Sequence, residues 1–202
     1  ILLEAGRLRG TYFICAGTLG QDGPMGPNAS AEAVVRLAGA GHEIACHSYA
    51  HLDCGKADGA TITADSDSNR AAFHALGLRT PETFAFPFGE VSVPAKRALD
   101  ERFGLLRALH HGVIETGTDL NQAPGVGIEG PDGEAVASRW LALAAERKAW
   151  VILYSHDVRP DPSPWGCTPQ ALGRLVETAL TGGFDIVTVA EGCRRIGAAP
   201  PR

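Results

Sequence analysis

Two histidines, His47 and His51, lie four residues apart in the stretch IACHSYAH. Two imidazoles at this spacing can bind one metal ion, and neutral imidazole is a common zinc ligand. The pattern differs from the helical HExxH motif of metalloproteases, because Ser48 stands where the glutamate would be. Two interpretations stay open: the pair binds a metal ion, or both rings form only hydrogen bonds at the end of a strand.

His156 is a second candidate for chemistry. It follows the apolar run AWVILY in the stretch YSHD, where a strand would leave the core. A histidine in this position can transfer protons near neutral pH. Alternatively, it caps the strand or pairs with Asp157. We interpret the other histidines as structural: His42, His74, His110 and His111.

Short, β-prone apolar runs alternate with helical stretches along the chain. Strands are predicted over 10–17, 42–48, 83–89, 105–111, 126–129, 149–157 and 184–192. Helices are predicted over 28–41, 64–78, 93–104, 133–148 and 168–183, with a short helix at the end. The helix caps are expected at Asn28 or Ser30, within 65–68, and at Thr168. The alternation predicts parallel βαβ units, and therefore an α/β fold with a doubly wound sheet or a barrel.

The carboxyl ends of the strands are where such folds gather their functional residues. The stretches HSYAH, FPFGE and YSHD each follow a predicted strand. Three polar strand ends on the same face of a parallel sheet predict one common site.

Length, charge, cysteine content and missing motifs argue against several classes of function. The 202 residues fit a single domain over 1–202, and no apolar run approaches the ~20 residues of a membrane helix. The net charge of -5, with scattered Lys and Arg, argues against a nucleic-acid partner. The five cysteines form no disulfide pattern or CxxC pair, so a reducing, cytoplasmic compartment is favoured. Neither GxGxxG nor a phosphate loop is present.

Three motifs, taken in order, resemble one known family. HSYAH resembles the H-[ST]-x-x-H metal motif of the polysaccharide deacetylases, the NodB-homology carbohydrate esterases. TFAFPFGE resembles the third motif of that family, and VILYSHDV resembles its last, His-containing motif. The resemblance covers nearly the whole chain. It implies an irregular (β/α) barrel with six or seven strands.

The resemblance also implies a reaction and a set of roles. Family members remove acetyl groups from N-acetylated sugars with a metal held by one Asp and two His. Here His47 and His51 would hold zinc, or another divalent transition metal, and His156 would be the general acid. The backbone N–H of Phe88, after Pro87 in the third motif, would help to hold the oxyanion. The expected partner is an N-acetylated carbohydrate, and the oligomeric state is not predicted.

Two departures from the family pattern bear on these roles. The Asp-Asp motif that supplies the base and the third metal ligand would precede Ile1, on a first strand followed by the helix turn ILLEAG. Without it, the chain is expected to bind zinc weakly and to deacetylate poorly. In addition, Ala85 replaces an arginine that many members have in the third motif, and Arg107 is a candidate for the missing cation. The fourth motif assigns no role to Asp119 or Asn121.

Two alternative functions stay open at this point. The chain could be a catalytically silent relative that binds carbohydrate in the same groove. It could also be an amidase of the same fold that acts on a small cyclic amide. An Asp-Asp pair on a strand upstream would favour an enzyme over the silent relative.

Overall fold

The structure, a computed structural model, describes residue 3 and residues 6–197. The helix turn expected over 1–6 lies largely outside these residues. The described chain forms two compact units that are interleaved in sequence. The large unit comprises residues 9–108, 119–123 and 187–197; the small unit comprises 109–118, 124–186 and the described residues before 9. The single domain expected over 1–202 stays a prediction.

The large unit is built on a four-stranded parallel sheet in the order β1-β4-β5-β6. These strands are Thr11–Ile14, Glu43–Cys46, Thr83–Ala85 and Leu105–Arg107. A small antiparallel hairpin, β2 and β3, covers Asp22–Gly23 and Gly26–Pro27 and was not predicted. Four of the predicted strands are therefore present at their expected places, although each is shorter than predicted.

Four helices belong to the large unit: α1 (Ala31–Gly39), α2 (Gly59–Ala75), α3 (Val93–Leu99) and α6 (Val189–Arg195). Ser30 caps α1 as expected, because its hydroxyl accepts the N–H of Ala33. The predicted start of α2 at 64 is wrong. Asp58 caps this helix by accepting the N–H of Thr61, so the Asp and Ser residues at 65–68 lie inside it.

Apolar side chains of the sheet and of the helices that pack on it form the core of the large unit. One cluster joins Phe84 and Phe86 to Ile62 of α2 and Leu99 of α3. A second cluster joins α1 to α2 through Val34, Phe73 and Leu78. Phe84 and Phe86 precede and follow Ala85, and their side chains are buried on the same face of the sheet. Their burial fixes the end of β5 before the polar turn begins.

Between residues 109 and 186, the small unit contains a two-stranded parallel sheet and two α-helices. β7 (Val126–Gly127) pairs with β8 (Leu153–Tyr154), and α4 (Gly133–Arg147) and α5 (Pro169–Thr181) pack on it through apolar side chains. Thr168 caps α5, as predicted. The strand predicted over 149–157 is much shorter than expected, because only its middle pairs with a parallel neighbour.

The strand predicted over 184–192 is wrong. Thr188 caps α6 by accepting the N–H of Glu191, and the chain turns helical where β-branched residues suggested a strand. The α/β class and the parallel pairing are confirmed. Within the described residues, no helix is both long and apolar enough to span a membrane.

Glu43, the first residue of β4, links that strand to the amino ends of three other elements in the large unit. Its carboxylate accepts hydrogen bonds from the hydroxyls of Thr11 (2.7 Å) and Thr83 (2.5 Å), and from the N–H of Ala190 (2.9 Å). The Thr11 hydroxyl in turn accepts the N–H of Val189 at 2.8 Å. One side chain thus joins β1, β4, β5 and the first turn of α6.

We expect Glu43→Gln to lower the free energy of unfolding by about 1–3 kcal/mol, because hydrogen bonds to a charged acceptor become neutral or are lost. Urea unfolding measures the change. Glu101→Gln is the matched control, since Glu101 is exposed, and it should change stability by less than ~0.5 kcal/mol. Equal stability of both variants would contradict the role of Glu43.

Candidate active site

The carboxyl edge of the four-stranded sheet brings the first histidine into position. His47 directly follows β4, and its backbone N–H donates to Ile14 O at 3.1 Å, which extends the pairing with β1. Its ring Nδ1 lies 2.7 Å from Ala85 O at the end of β5. A carbonyl oxygen can only accept, so Nδ1 carries a proton; in the neutral ring the lone pair is then on Nε2.

Cys15, the residue after β1, supports His47 as well. Its thiol donates to His47 O at 2.8 Å. Burial raises the pKa of the Cys15 thiol to about 12, so it stays protonated and remains a donor. His47 is therefore fixed by contacts to strands on both sides.

The loop between the two histidines has an unusual backbone. Ser48 and His51 have φ values of 62° and 56°, which are uncommon for residues other than glycine. The buried Ser48 hydroxyl accepts the N–H of Leu52 at 2.8 Å. Asp65 of α2 accepts the N–H groups of Tyr49 (2.6 Å) and Ala50 (3.2 Å). These bonds hold the loop in a shape that a free chain would rarely adopt.

Asn69, one turn further along α2, joins the strand ends beneath this loop. It is fully buried; its Oδ1 accepts the N–H of Ala16, and its Nδ2 donates to Ile14 O and Cys46 Sγ. Gly17 lets the chain after β1 approach the loop, since a Cβ there would lie 2.7 Å from Tyr49 O. Helix α2 thus holds both β1 and the histidine loop.

The rings of His47, His51 and Phe88 form a row of edge-to-face contacts. The His47 and His51 centroids are 5.0 Å apart, and the His51 and Phe88 centroids are 4.5 Å apart. Pro87 is buried and begins the turn after β5, whereas Phe88 has a φ of 58° and is 60% exposed. The structure therefore brings together the predicted metal histidines and the predicted oxyanion residue.

The ring nitrogens of His47 and His51 can be compared with the ligands that a metal ion requires. Histidine ligands characteristically donate their second ring N–H to a carbonyl or carboxylate, as His47 does to Ala85 O. Two neutral imidazoles side by side suit zinc or a similar transition metal. In the described part of the chain, no three His, Cys, Asp or Glu side chains are grouped to hold a metal. Among the described residues, His47 and His51 thus match two of the ligands of such a site.

His156 lies in the small unit, after β8. Its Nδ1 is 3.0 Å from Glu129 Oε1 and 3.3 Å from Trp165 O, both of them acceptors, so Nδ1 carries the proton here too. Its backbone N–H donates to Trp165 O at 3.1 Å. The partner expected as an alternative, Asp157, binds Ser163 and Arg159 instead.

Asp157 organises the loop that carries Trp165. Burial alone would raise the pKa of Asp157, but hydrogen bonds from Ser163 and the charge of Arg159 together lower it. The ionised carboxylate accepts from the Ser163 hydroxyl at 2.6 Å, and the Ser163 hydroxyl accepts the N–H of Trp165. Trp165 is 49% exposed although its backbone is firmly held.

Sequence patterns did not reveal Asp65, Asn69 or Glu129 as supporting residues. Asp65 was interpreted as a helix cap, and Glu129 as the end of a strand. In the structure, a Cβ at Gly127 would lie 2.9 Å from Glu129 Cδ, so glycine makes room for that side chain. Asp65 and Asn69 act on strands far away in sequence and leave no local pattern.

Comparison with known proteins identifies the family. Residues 2–105, more than half of the chain, match the family model for polysaccharide deacetylases. The chain belongs to this family. No curated protein matched the chain.

Solved structures of family 4 esterases and of a CE4 domain share the fold. The family 4 acetyl xylan esterase from Clostridium thermocellum, in complex with a cobalt ion, has a TM-score of 0.65 at 22% identity, over 98% of this chain and 83% of that one. The Xyl-CE4 domain of a xylanase from the Trinervitermes trinervoides hindgut metagenome has a TM-score of 0.64 at 19% identity, over 100% and 84%.

A third relative is the family 4 carbohydrate esterase from Streptomyces lividans, in complex with acetate. It has a TM-score of 0.55 at 19% identity, over 91% of this chain and 80% of that one. These likenesses confirm the predicted α/β fold of the NodB-homology type. The roles of individual site residues remain predictions.

We predict that Asp65→Ala will speed amide hydrogen exchange at Tyr49 and Ala50, because both N–H groups lose their acceptor. The loop should open locally, which hydrogen–deuterium exchange detects residue by residue. Asp67→Ala is the matched control, since Asp67 lies on the same helix and binds Arg70 and Arg102. Unchanged exchange at both amides in Asp65→Ala would show that the carboxylate does not hold the loop.

We predict that Glu129→Leu will release the ring of His156, whereas Glu129→Gln, which keeps an acceptor, will largely preserve its orientation. Nitrogen NMR of the neutral imidazole should show mainly the Nδ1–H tautomer in the native protein and in Glu129→Gln. In Glu129→Leu the Nε2–H tautomer should gain population. An identical tautomer ratio in all three proteins would show that the contact with Glu129 does not determine the tautomer of His156.

Proposed function

We propose that the protein is a metal-dependent hydrolase that removes N-acetyl groups from an amino-sugar polymer or oligosaccharide. The observation that carries this proposal is the fixed imidazole pair. His47 is oriented by Ala85 O, and His51 and the exposed Phe88 stand beside it, at the carboxyl edge of a parallel sheet. Membership of the polysaccharide deacetylase family supports the acetylated carbohydrate substrate.

Both reactants, the amide and the water, must be activated for hydrolysis to proceed. An amide carbonyl is a poor electrophile, and water is a poor nucleophile at neutral pH. A bound divalent ion such as zinc would supply both functions, because it would lower the pKa of a bound water and polarise the carbonyl. His47 and His51 would hold this ion, and His47 is suited to do so because its second nitrogen is already engaged.

Two further groups of the chain complete the proposed roles. The backbone N–H of Phe88 would donate to the negative oxygen of the tetrahedral intermediate. In its imidazolium form, His156 would give the proton on Nε2 to the leaving sugar nitrogen, while Glu129 and Trp165 O hold the proton on Nδ1. Both assignments follow the family motifs.

Exposed aromatic rings favour a sugar over a small cyclic amide. Phe88 and Trp165 present apolar faces to solvent although their backbones are fixed by hydrogen bonds or a strained turn. Exposed aromatic side chains on rigid loops commonly mark ligand surfaces, and a sugar ring offers a matching apolar face.

A second candidate is removal of O-acetyl groups. The structural neighbours include an acetyl xylan esterase and the CE4 domain of a xylanase. Ester and amide hydrolysis pass through the same type of tetrahedral intermediate, so the same groups serve both. The leaving alcohol of an ester needs protonation less than an amine does, so His156 should matter less for that substrate.

The test is acetate release by the full-length protein from N-acetylated chito-oligosaccharides and from acetylated xylo-oligosaccharides. We expect release from the N-acetylated series, loss of activity after chelation, and recovery when zinc is returned. His47→Ala and His51→Ala should each bind far less metal and lose activity. His74→Ala is the matched control, because His74 is exposed on α2 and binds Thr80, and it should behave as the native protein does.

Three outcomes separate the candidates. Release only from the xylan series would favour the esterase. Full zinc content and activity in both His47→Ala and His51→Ala would refute the metal assignment. No release from any acetylated carbohydrate, with carbohydrate still bound, would favour the silent binding relative.

His156→Ala should lower the turnover of N-acetylated substrate by ~10²–10⁴, the usual contribution of a positioned acid, with metal content unchanged. The same variant should lose less activity on the ester. Metal analysis and steady-state kinetics measure both quantities. If His156→Ala lost its metal, or kept its amidase turnover, the role of general acid would be wrong.

A further inference from the structure

Trp165 is an exposed aromatic residue in the small unit, on the loop that joins β8 to α5. The base of this loop is closed, because Val158 and Cys167 form a parallel bridge and the N–H of Cys167 donates to Asp157 O at 2.9 Å. The middle of the loop lies in solvent: residues 159–161, 164 and 165 are all exposed. Trp165 thus stands on a loop that is fixed at both ends.

The main chain around Trp165 has little freedom. Every second position over 160–164 is proline, which restricts φ along this stretch. The Asp157 carboxylate accepts the backbone N–H of Ser163 at 3.1 Å and its hydroxyl at 2.6 Å. A Cβ at Gly166 would lie 2.1 Å from Asp157 Oδ1, so only glycine fits there. The residues on both sides of Trp165 are therefore held by one carboxylate.

The backbone of Trp165 touches the proposed general acid. Its carbonyl oxygen accepts the backbone N–H of His156 at 3.1 Å and lies 3.3 Å from His156 Nδ1. The indole is consequently attached within a side chain's length of the imidazole, whose side chain is 32% exposed. A sugar whose nitrogen reaches His156 has Trp165 as a near neighbour.

The chemistry of this surface suits a sugar ring. Among the exposed large apolar residues of the described chain, only Val158 shares the loop with Trp165. Two such residues are far too few for a protein interface, which buries about 800 Å² on each partner. A pyranose needs less: its flat C–H face packs on an aromatic ring. Its hydroxyl edge can meet polar side chains, and Arg159 and Asp161 are exposed on the same loop.

We propose that Trp165 binds the sugar unit next to the one that loses its acetyl group; the proposal rests on the proposed deacetylase function. The substrate then needs at least two linked sugar units to use this contact. The fixed backbone lowers the entropy cost of binding, because the indole carrier is already ordered before the sugar arrives. A monosaccharide reaches His156 without gaining the contact.

The experiment compares the native full-length protein with Trp165→Leu, which is apolar but not flat, and with Trp165→Phe, which keeps an aromatic face. Val158→Ala is the matched control, since Val158 is the other exposed apolar residue of the loop. Calorimetry measures binding of the glucosamine tetramer and of xylotetraose, which carry no acetyl group and cannot turn over. Steady-state kinetics compare an acetylated tetramer with its acetylated monosaccharide. Thermal unfolding shows that each variant is folded; the exposed position makes all three substitutions tolerable.

We expect Trp165→Leu to weaken tetramer binding and to raise KM for the acetylated tetramer, both by about 3- to 30-fold, the worth of a stacked ring. For the monosaccharide, kcat/KM should stay within about two-fold of the native value, as for a surface substitution away from the ligand. Trp165→Phe should keep most of the affinity, and Val158→Ala should match the native protein. The tetramer that binds more tightly identifies the sugar series.

Three results would overturn the proposal. The first is tetramer affinity and KM in Trp165→Leu within about two-fold of native. The second is an equal loss on tetramer and monosaccharide, which places the effect on His156 and not on a neighbouring sugar. The third is a native protein that binds neither tetramer. Acetate release by all variants alike would refute this inference alone. Tetramer binding that depends on Trp165, without acetate release from any sugar, would refute only the proposed function.

Discussion

The parallel pairing of β4 with β5 is the constraint on which the candidate site depends. It places the carbonyl of Ala85 2.7 Å from His47 Nδ1 and thereby selects the tautomer of that ring. The same register lines up Arg107 with Ala85 on the neighbouring strand. A shift of one residue would turn His47 to the other face and separate it from both. The chemistry of this edge is therefore a consequence of backbone register.

Backbone strain at the edge is balanced by hydrogen bonds from one helix. Ser48, His51 and Phe88 all have positive φ values, at about 1–3 kcal/mol each for residues other than glycine. A strained backbone persists only where contacts from the surrounding structure hold it in place. Asp65 and Asn69 of α2 supply these bonds, the first to the histidine loop and the second to the strand ends beneath it. The stability of α2 and the shape of the site are thus coupled.

Local patterns in the sequence correctly predicted those features that depend on neighbouring residues, such as helix caps and strand ends. Ser30 and Thr168 were identifiable as caps, and HSYAH and FPFGE were identifiable as polar strand ends. The helix predicted over 64–78 is present, but it begins earlier because Asp58 caps it. The strand predicted over 184–192 failed, and the first turn of α6 found there binds Glu43, a partner far away in sequence. The pairing of His156 with Glu129 joins side chains 27 residues apart, which no local spacing encodes.

The central proposal is that His47 and His51 bind one metal ion. Anomalous diffraction from crystals of the full-length protein grown with zinc, recorded on both sides of the zinc absorption edge, tests it most directly. The account predicts a single zinc peak at ~2.0–2.1 Å from His47 Nε2 and from one ring nitrogen of His51. A fully occupied zinc peak elsewhere, with none between these rings, or one bound to His47 Nδ1, would contradict it.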